Sequence, residues 1–148
     1  MDRLLYPVSE EVFKQNVKVY FENINEGFTN FKHDMLEDKS EAELIEYMEK
    51  AFEENGFENF YIDLYLNMID ETNEIKFLEL LTEDDKTTYK LIKDQYDNST
   101  VYYKIDRSLI PFITRRSTRE VLFCTIYLTK TNQTIWGNYD MKFPVFYM

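Results

Sequence analysis

From Ser9, the apolar residues Phe13, Val17, Tyr20, Phe21 and Ile24 recur at spacings of 4, 3, 1 and 3, one face of a 3.6-residue period. Glu10 and Glu11 in the first turn favour a helix there, and Gly27 is placed to end it. A second helix is marked more sharply. Ser40 and Glu43 form an S-x-x-E capping box, in which each side chain satisfies the other residue's free backbone N–H. Leu44, Met48, Ala51 and Phe52 then make a buried stripe, and Gly56 supplies the stop. Between the two helices, "GFTNFKHDMLED" reads as a connector.

After Gly56 the period changes to 2. In "FYIDLYLNMI", Phe60, Ile62, Leu64, Leu66 and Met68 alternate with Tyr61, Asp63, Tyr65 and Asn67, which predicts a strand. "DETNE" reads as a turn and "IKFLELL" as the returning strand. "TTYKLIK" has strand-like alternation, although the "TEDD" before it resembles a helix start; the alternation favours a strand. "STVYYKI" and "EVLFCTIYLTK" are further strands, the second with Leu122, Cys124, Ile126 and Leu128 toward the core. "DRSLIPFITRRST" between them reads as a connector interrupted by Pro111. The last strand runs through "MKFPVFY", where Pro144 suggests a sheet edge or a strand end.

Helices first and strands after predict an α+β fold: two N-terminal helices packed on a C-terminal antiparallel sheet of about five or six strands. Residues 1–148 read as one domain, helical over about 9–56 and sheet over about 59–147. The length suits a single domain, and 12 Phe with 12 Tyr can fill one core.

Composition narrows the chemistry. One cysteine, Cys124, excludes an intrachain disulfide, and one histidine, His33, excludes a two-histidine metal site. Three glycines, two of them assigned as helix stops, leave none for a phosphate-cradling loop. Neighbouring carboxylates such as Asp84 and Asp85 lack the shaped loop that calcium needs. No catalytic motif, metal or cofactor is expected. The opening "MDRLLYPVSEEVF" lacks a signal peptide's apolar run, and no stretch approaches a membrane span, so the expectation is a cytoplasmic protein with no membrane partner. Codon-level bias toward Phe, Tyr, Ile, Asn and Lys suggests a low-GC bacterium, or a phage or mobile element living in one.

Charge changes the picture most. The formal net charge is -11, yet residues 107–148 carry 6 Lys/Arg against 2 acids. Arg107, Arg115, Arg116 and Arg119 are four of the five arginines and fall within thirteen residues. Guanidinium forks match phosphate geometry, so this cluster is a candidate site for a small anionic ligand, a nucleotide or phosphate. The alternatives are ion pairs with the protein's own acids or contact with a second copy. Duplex nucleic acid is disfavoured by the acidic remainder of the chain. Glu46, Glu49 and Glu53 ring the second helix opposite its buried stripe, and such a face steers association with a basic protein partner. Small acidic proteins that occupy basic catalytic or nucleic-acid-binding surfaces, as immunity and counter-defence inhibitors do, work on this principle. The sequence therefore predicts a non-catalytic acidic protein that binds and inhibits or neutralises a protein partner. An anion-binding or sequestering protein is the alternative.

Overall fold

The computed structural model describes residues 3–66 and 69–148. Among these, seven strands form one antiparallel sheet flanked by six α-helices. In chain order the elements are β1 (Leu5–Val8), α1 (Glu10–Asn16), α2 (Ile24–Asn30), β2 (Lys32–Leu36), α3 (Glu41–Asn55) and β3 (Phe60–Asp63). They continue through α4 (Glu71–Glu79), α5 (Glu83–Gln95), β4 (Tyr102–Ile105), α6 (Ile110–Thr118), β5 (Thr125–Leu128), β6 (Gln133–Trp136) and β7 (Phe143–Tyr147). The strand order is β1-β4-β3-β5-β6-β7-β2, every neighbouring pair antiparallel.

The α+β class holds, but the division into helical and sheet parts does not. Strands β1 and β2 lie in the N-terminal part and form the two edges of the sheet, while α4, α5 and α6 interrupt the C-terminal part. Local capping explains each reversal. In "DETNE", Asp70 accepts the Asn73 N–H at 2.8 Å, so the expected turn is the start of α4 and "IKFLELL" is mostly helical. In "TEDD", Thr82 accepts the Asp85 N–H at 3.1 Å and three acids fill the first turn of α5, which outweighs the alternation of "TTYKLIK". The expected connector at Pro111 is α6. A proline in a helix's first turn removes an N–H that has no intrahelical partner anyway.

The first expected helix is two. Ser9 caps α1 and Asn23 caps α2, and between them Val17, Val19 and Phe21 are buried with Lys18 exposed, an extended pattern. Gly27 is not a stop but an interior residue of α2, where a Cβ would come within 2.9 Å of Phe21 Cζ. By contrast, Gly56 ends α3 at φ 79, a conformation that favours glycine. The capping box of α3 forms as expected, with Leu44, Met48 and Ala51 buried.

The strand expected from the alternation of "FYIDLYLNMI" forms over Phe60–Asp63, but its second face is buried too. All four residues of β3 are buried. Phe60 and Ile62 join Tyr103, Ile126, Ile135, Phe143 and Val145 in the main core, with Leu44 and Met48 of α3, Ile92 of α5, and Ile110 and Ile113 of α6. Tyr61 faces the other way, with Tyr102 and Tyr127, beneath Phe13 of α1. The Phe13 ring stacks on Tyr102 at 3.7 Å and meets Tyr127 edge-on at 4.8 Å. Further along that face, Val19 and Phe21 pack with Phe146. The expected strand positions Asn67 and Met68 lie outside the described residues. Cys124 is buried just before β5 rather than within it. Pro144 lies in β7, an interior strand, opposite Met35 and one residue past the end of the β6 ladder at Val145.

Candidate functional site

Helix α6 and the single 3-10 turn before it (Arg107–Leu109) bring the four clustered arginines against α3 and α5. Each has a different fate. Arg107 Nη2 bonds Glu53 Oε1 at 2.7 Å, and its Nη1 lies 3.9 Å from Glu49 Oε2. Arg115 makes a bidentate pair with Asp85, Nε to Oδ2 at 2.7 Å and Nη2 to Oδ1 at 2.5 Å. Arg119 holds both oxygens of Glu41, at 2.9 and 3.1 Å. Glu41 is held below the usual carboxylate range by Arg119, with the Thr118 hydroxyl adding to the effect. The cluster therefore fastens α6 to α3 and α5. An anion entering it has to displace a carboxylate from each of these three guanidinium groups.

Arg116 is the exception. It points inward and is fully buried, its guanidinium 5.6 Å above the Phe112 ring. Among the described residues, Nε, Nη1 and Nη2 have no hydrogen-bond partner. Burial pushes its pKa down, against support from Cys124, Asp63 and Tyr89. Asp63 at the end of β3 is also buried. It accepts the Thr125 N–H at 2.7 Å, and burial pushes its carboxyl up to about 6 despite that bond and the Arg116 charge. Cys124 completes the constellation beside Ser117. Burial pushes its thiol pKa up and so keeps it protonated, the reverse of what a nucleophile needs. Alternation sets Asp63 on the face of β3 opposite the main core, but that face is buried too and its carboxylate is turned to the Thr125 N–H.

The acids of α3 divide by flank. Glu41, Glu49 and Glu53 face α6 and meet Arg119 and Arg107. Of the three acids chosen from the sequence, Glu49 and Glu53 are thus engaged within the molecule, and both with Arg107. Glu46 sits on the outer crest, exposed, and Glu43 and Glu54 lie on the flank away from α6. Among the described residues, Glu43, Glu46 and Glu54 make no ion pair, and Lys50 is the basic residue interspersed with them. Tyr47, on the same flank, has its pKa raised by burial first and then by the charges of Glu54 and of Asp34 in β2. Charges from α3 and from the sheet edge thus act on the same Tyr47 side chain. Sequence spacing could have flagged Glu43 and Glu54, but not Asp34, whose charge reaches Tyr47 only through folding.

An open cleft of about 300 Å³ lies beside α4, between Asn73, Lys76, Phe77 and Leu80 on one side and Glu120 to Leu122 on the other. None of the four clustered arginines lines it. No helix among the described residues is long and apolar enough to cross a membrane. Comparison with protein-family models, with curated proteins and with solved structures finds no match to this chain.

Proposed function

We propose that this chain is a non-catalytic acidic interaction protein, which binds a protein partner through a basic surface on that partner and inhibits or neutralises it. The observation that carries the reading is the division of charge on α3. Arginines of the α6 region neutralise Glu41, Glu49 and Glu53, while Glu43, Glu46 and Glu54 are exposed and make no ion pair among the described residues, Glu43 accepting only the Ser40 N–H. A net charge of -11 adds a long-range field of the same sign, which steers a basic partner and disfavours a nucleic acid one. An immunity-like or counter-defence-like role, in a phage or mobile element, is the biological setting that fits such a surface.

The test is affinity capture with the wild-type chain and with the triple variant Glu43→Lys, Glu46→Lys, Glu54→Lys. Partners held by the wild type should elute with salt and be absent from the variant, which should stay folded by circular dichroism but melt at a lower temperature, because Glu43 is the acidic half of the α3 capping box. Equal recovery of the same partners by the variant overturns the reading. A variant carrying Glu49→Gln and Glu53→Gln should keep them, because those acids already serve Arg107.

A further inference from the structure

The two edges of the sheet are treated differently. At β1, Gln95 Oε1 accepts the N–H groups of Leu4 and Leu5 at 2.7 and 3.1 Å, and Arg3 Nε donates to the Leu5 carbonyl at 2.9 Å. Pro7 in the same strand carries no N–H at all. That edge is capped. At β2, by contrast, no side chain or loop among the described residues hydrogen-bonds the outer backbone of Lys32–Leu36, and four of its five residues are exposed. The strand has no proline and pairs with β7 over its full length without a bulge. An uncapped edge of this kind is a template for another strand.

The side chains flanking that edge differ by face. His33 and Met35 pair with Phe146 and Pro144, and so lie on the α1–α2 side. There Phe28 meets His33 at 4.7 Å and Phe146 at 5.1 Å, and Phe28 and Met35 are both exposed large apolar residues. Asp34 pairs with Val145 and Leu36 with Phe143, both in the core shared with α3. On that side the charge of Asp34 reaches Tyr47 of α3, as does that of Glu54, Glu43 lies one turn before Tyr47, and Glu37 and Asp38 follow Leu36 directly in the chain. One face of the edge is apolar; the other begins with Lys32 opposite Tyr147 and is acidic from Asp34 onward, through Glu37 and Asp38.

We propose that the outer edge of β2 is a docking site for an extended segment of a partner protein that alternates apolar and basic residues. Paired as an eighth strand, such a segment sets its apolar side chains against Phe28 and Met35 and its lysines or arginines against Asp34, Glu43 and Glu54. Alternation follows from the period of 2 in any strand, and main-chain bonds supply the rest of the affinity. A second copy of this chain fits the edge poorly. Antiparallel self-pairing centred on β2 sets Asp34 opposite Asp34 and brings two acidic α3 flanks together. This inference rests on the acidic-partner reading and deepens it.

The test uses a short acetylated peptide of alternating lysine and valine, with a glutamate–valine peptide and polylysine as comparisons. Binding is followed by fluorescence anisotropy, and backbone amide exchange is followed across residues 32–36. The lysine–valine peptide should bind with an affinity that falls with salt, and should slow exchange in β2. Asp34→Lys should weaken it at least about tenfold, which is 1.4 kcal/mol. The glutamate–valine peptide should not bind.

Failure of the lysine–valine peptide to bind, or equal binding to Asp34→Lys, overturns the inference. Polylysine binding that depends on Glu43, Glu46 and Glu54 while β2 exchange stays fast also overturns it, yet leaves the acidic-partner reading standing. Protection of β2 that depends on Asp34 but survives reversal of the three α3 acids supports the edge and removes α3 from the site. Concentration-dependent dimerisation that protects β2 without peptide identifies a second copy as the occupant and overturns the proposal.

Discussion

Arg116 carries a charge into the main core without a hydrogen-bonded counter-ion among the described residues, and Asp63 carries the opposite charge into the same region. Desolvating ions in this way costs several kcal/mol each, so such groups lower stability unless paired. Replacing both at once, Arg116 by methionine and Asp63 by asparagine, which keeps an acceptor for the Thr125 N–H, should raise stability against urea by roughly 1–4 kcal/mol, whereas Arg116→Met alone leaves the Asp63 carboxylate buried without its cation and should not. Asp63 makes a separate and signed prediction. Its carboxyl titrates near 6 when folded and near 3.8 when unfolded, so the folded state holds the extra proton between those values. Its contribution is therefore full below about 4 and falls as pH rises through 6, by about 3 kcal/mol in total. Stability measured as wild type minus Asp63→Asn should show that fall. A difference that is flat from pH 4 to 7 contradicts it. In an Arg116→Met background the fall should extend above pH 6, since the cation that lowers the Asp63 pKa is gone.

Helices are fixed here by their ends. Each of α1 to α5 begins with a Ser, Thr, Asn or Asp whose side chain accepts a first-turn N–H. In α3, Ser40→Ala removes one half of the capping box and should cost about 1 kcal/mol in thermal or urea unfolding. Helix α6 lacks a side-chain cap and is held instead by its arginines. The three pairs are unequal. The exposed Arg107 and Arg119 pairs are each worth about 1 kcal/mol or less, because water and salt screen them. Asp85 has only 2% of its side-chain surface exposed, so removing its partner leaves a buried charge. Arg115→Ala should therefore destabilise by about 3 kcal/mol, with faster amide exchange in the first turn of α5, whereas Arg119→Ala should change little. Equal effects of the two substitutions would contradict the ranking.

At the scale of the molecule, unpaired acids outnumber bases and repel one another. Screening weakens that repulsion as the Debye length falls from about 30 Å at 0.01 M salt to about 3 Å at 1 M. The melting temperature should rise with sodium chloride over that range; a fall would mean that the arginine pairs, not the net charge, dominate the field. The same screening should weaken capture of a basic partner, so stability and binding are expected to respond to salt in opposite directions. Both sheet faces are covered, by α1 and α2 on one side and α3 to α6 on the other. Among the described residues, the outer edge of β2 is backbone that neither layer covers.

The sequence by itself determined what is local. The caps, first-turn acids and Gly56 stop act within about four residues, and the ends of α3 are readable from them. The net charge and the clustering of arginines are likewise properties of the string. Strand assignment was not local. Tyr89 and Leu91 sit in a helix although their segment alternates, and Lys32–Leu36, read as a connector, is a strand paired with β7. Alternation identified β3 as a strand but not that Tyr61 and Asp63 on its second face are buried as well. The role of the arginines was decided by tertiary structure alone. Arg115 meets Asp85 across 30 residues and Arg119 meets Glu41 across 78, distances over which no spacing rule holds. Their acids are neutralised by that folding, and the charge left outward is what remains to meet a partner.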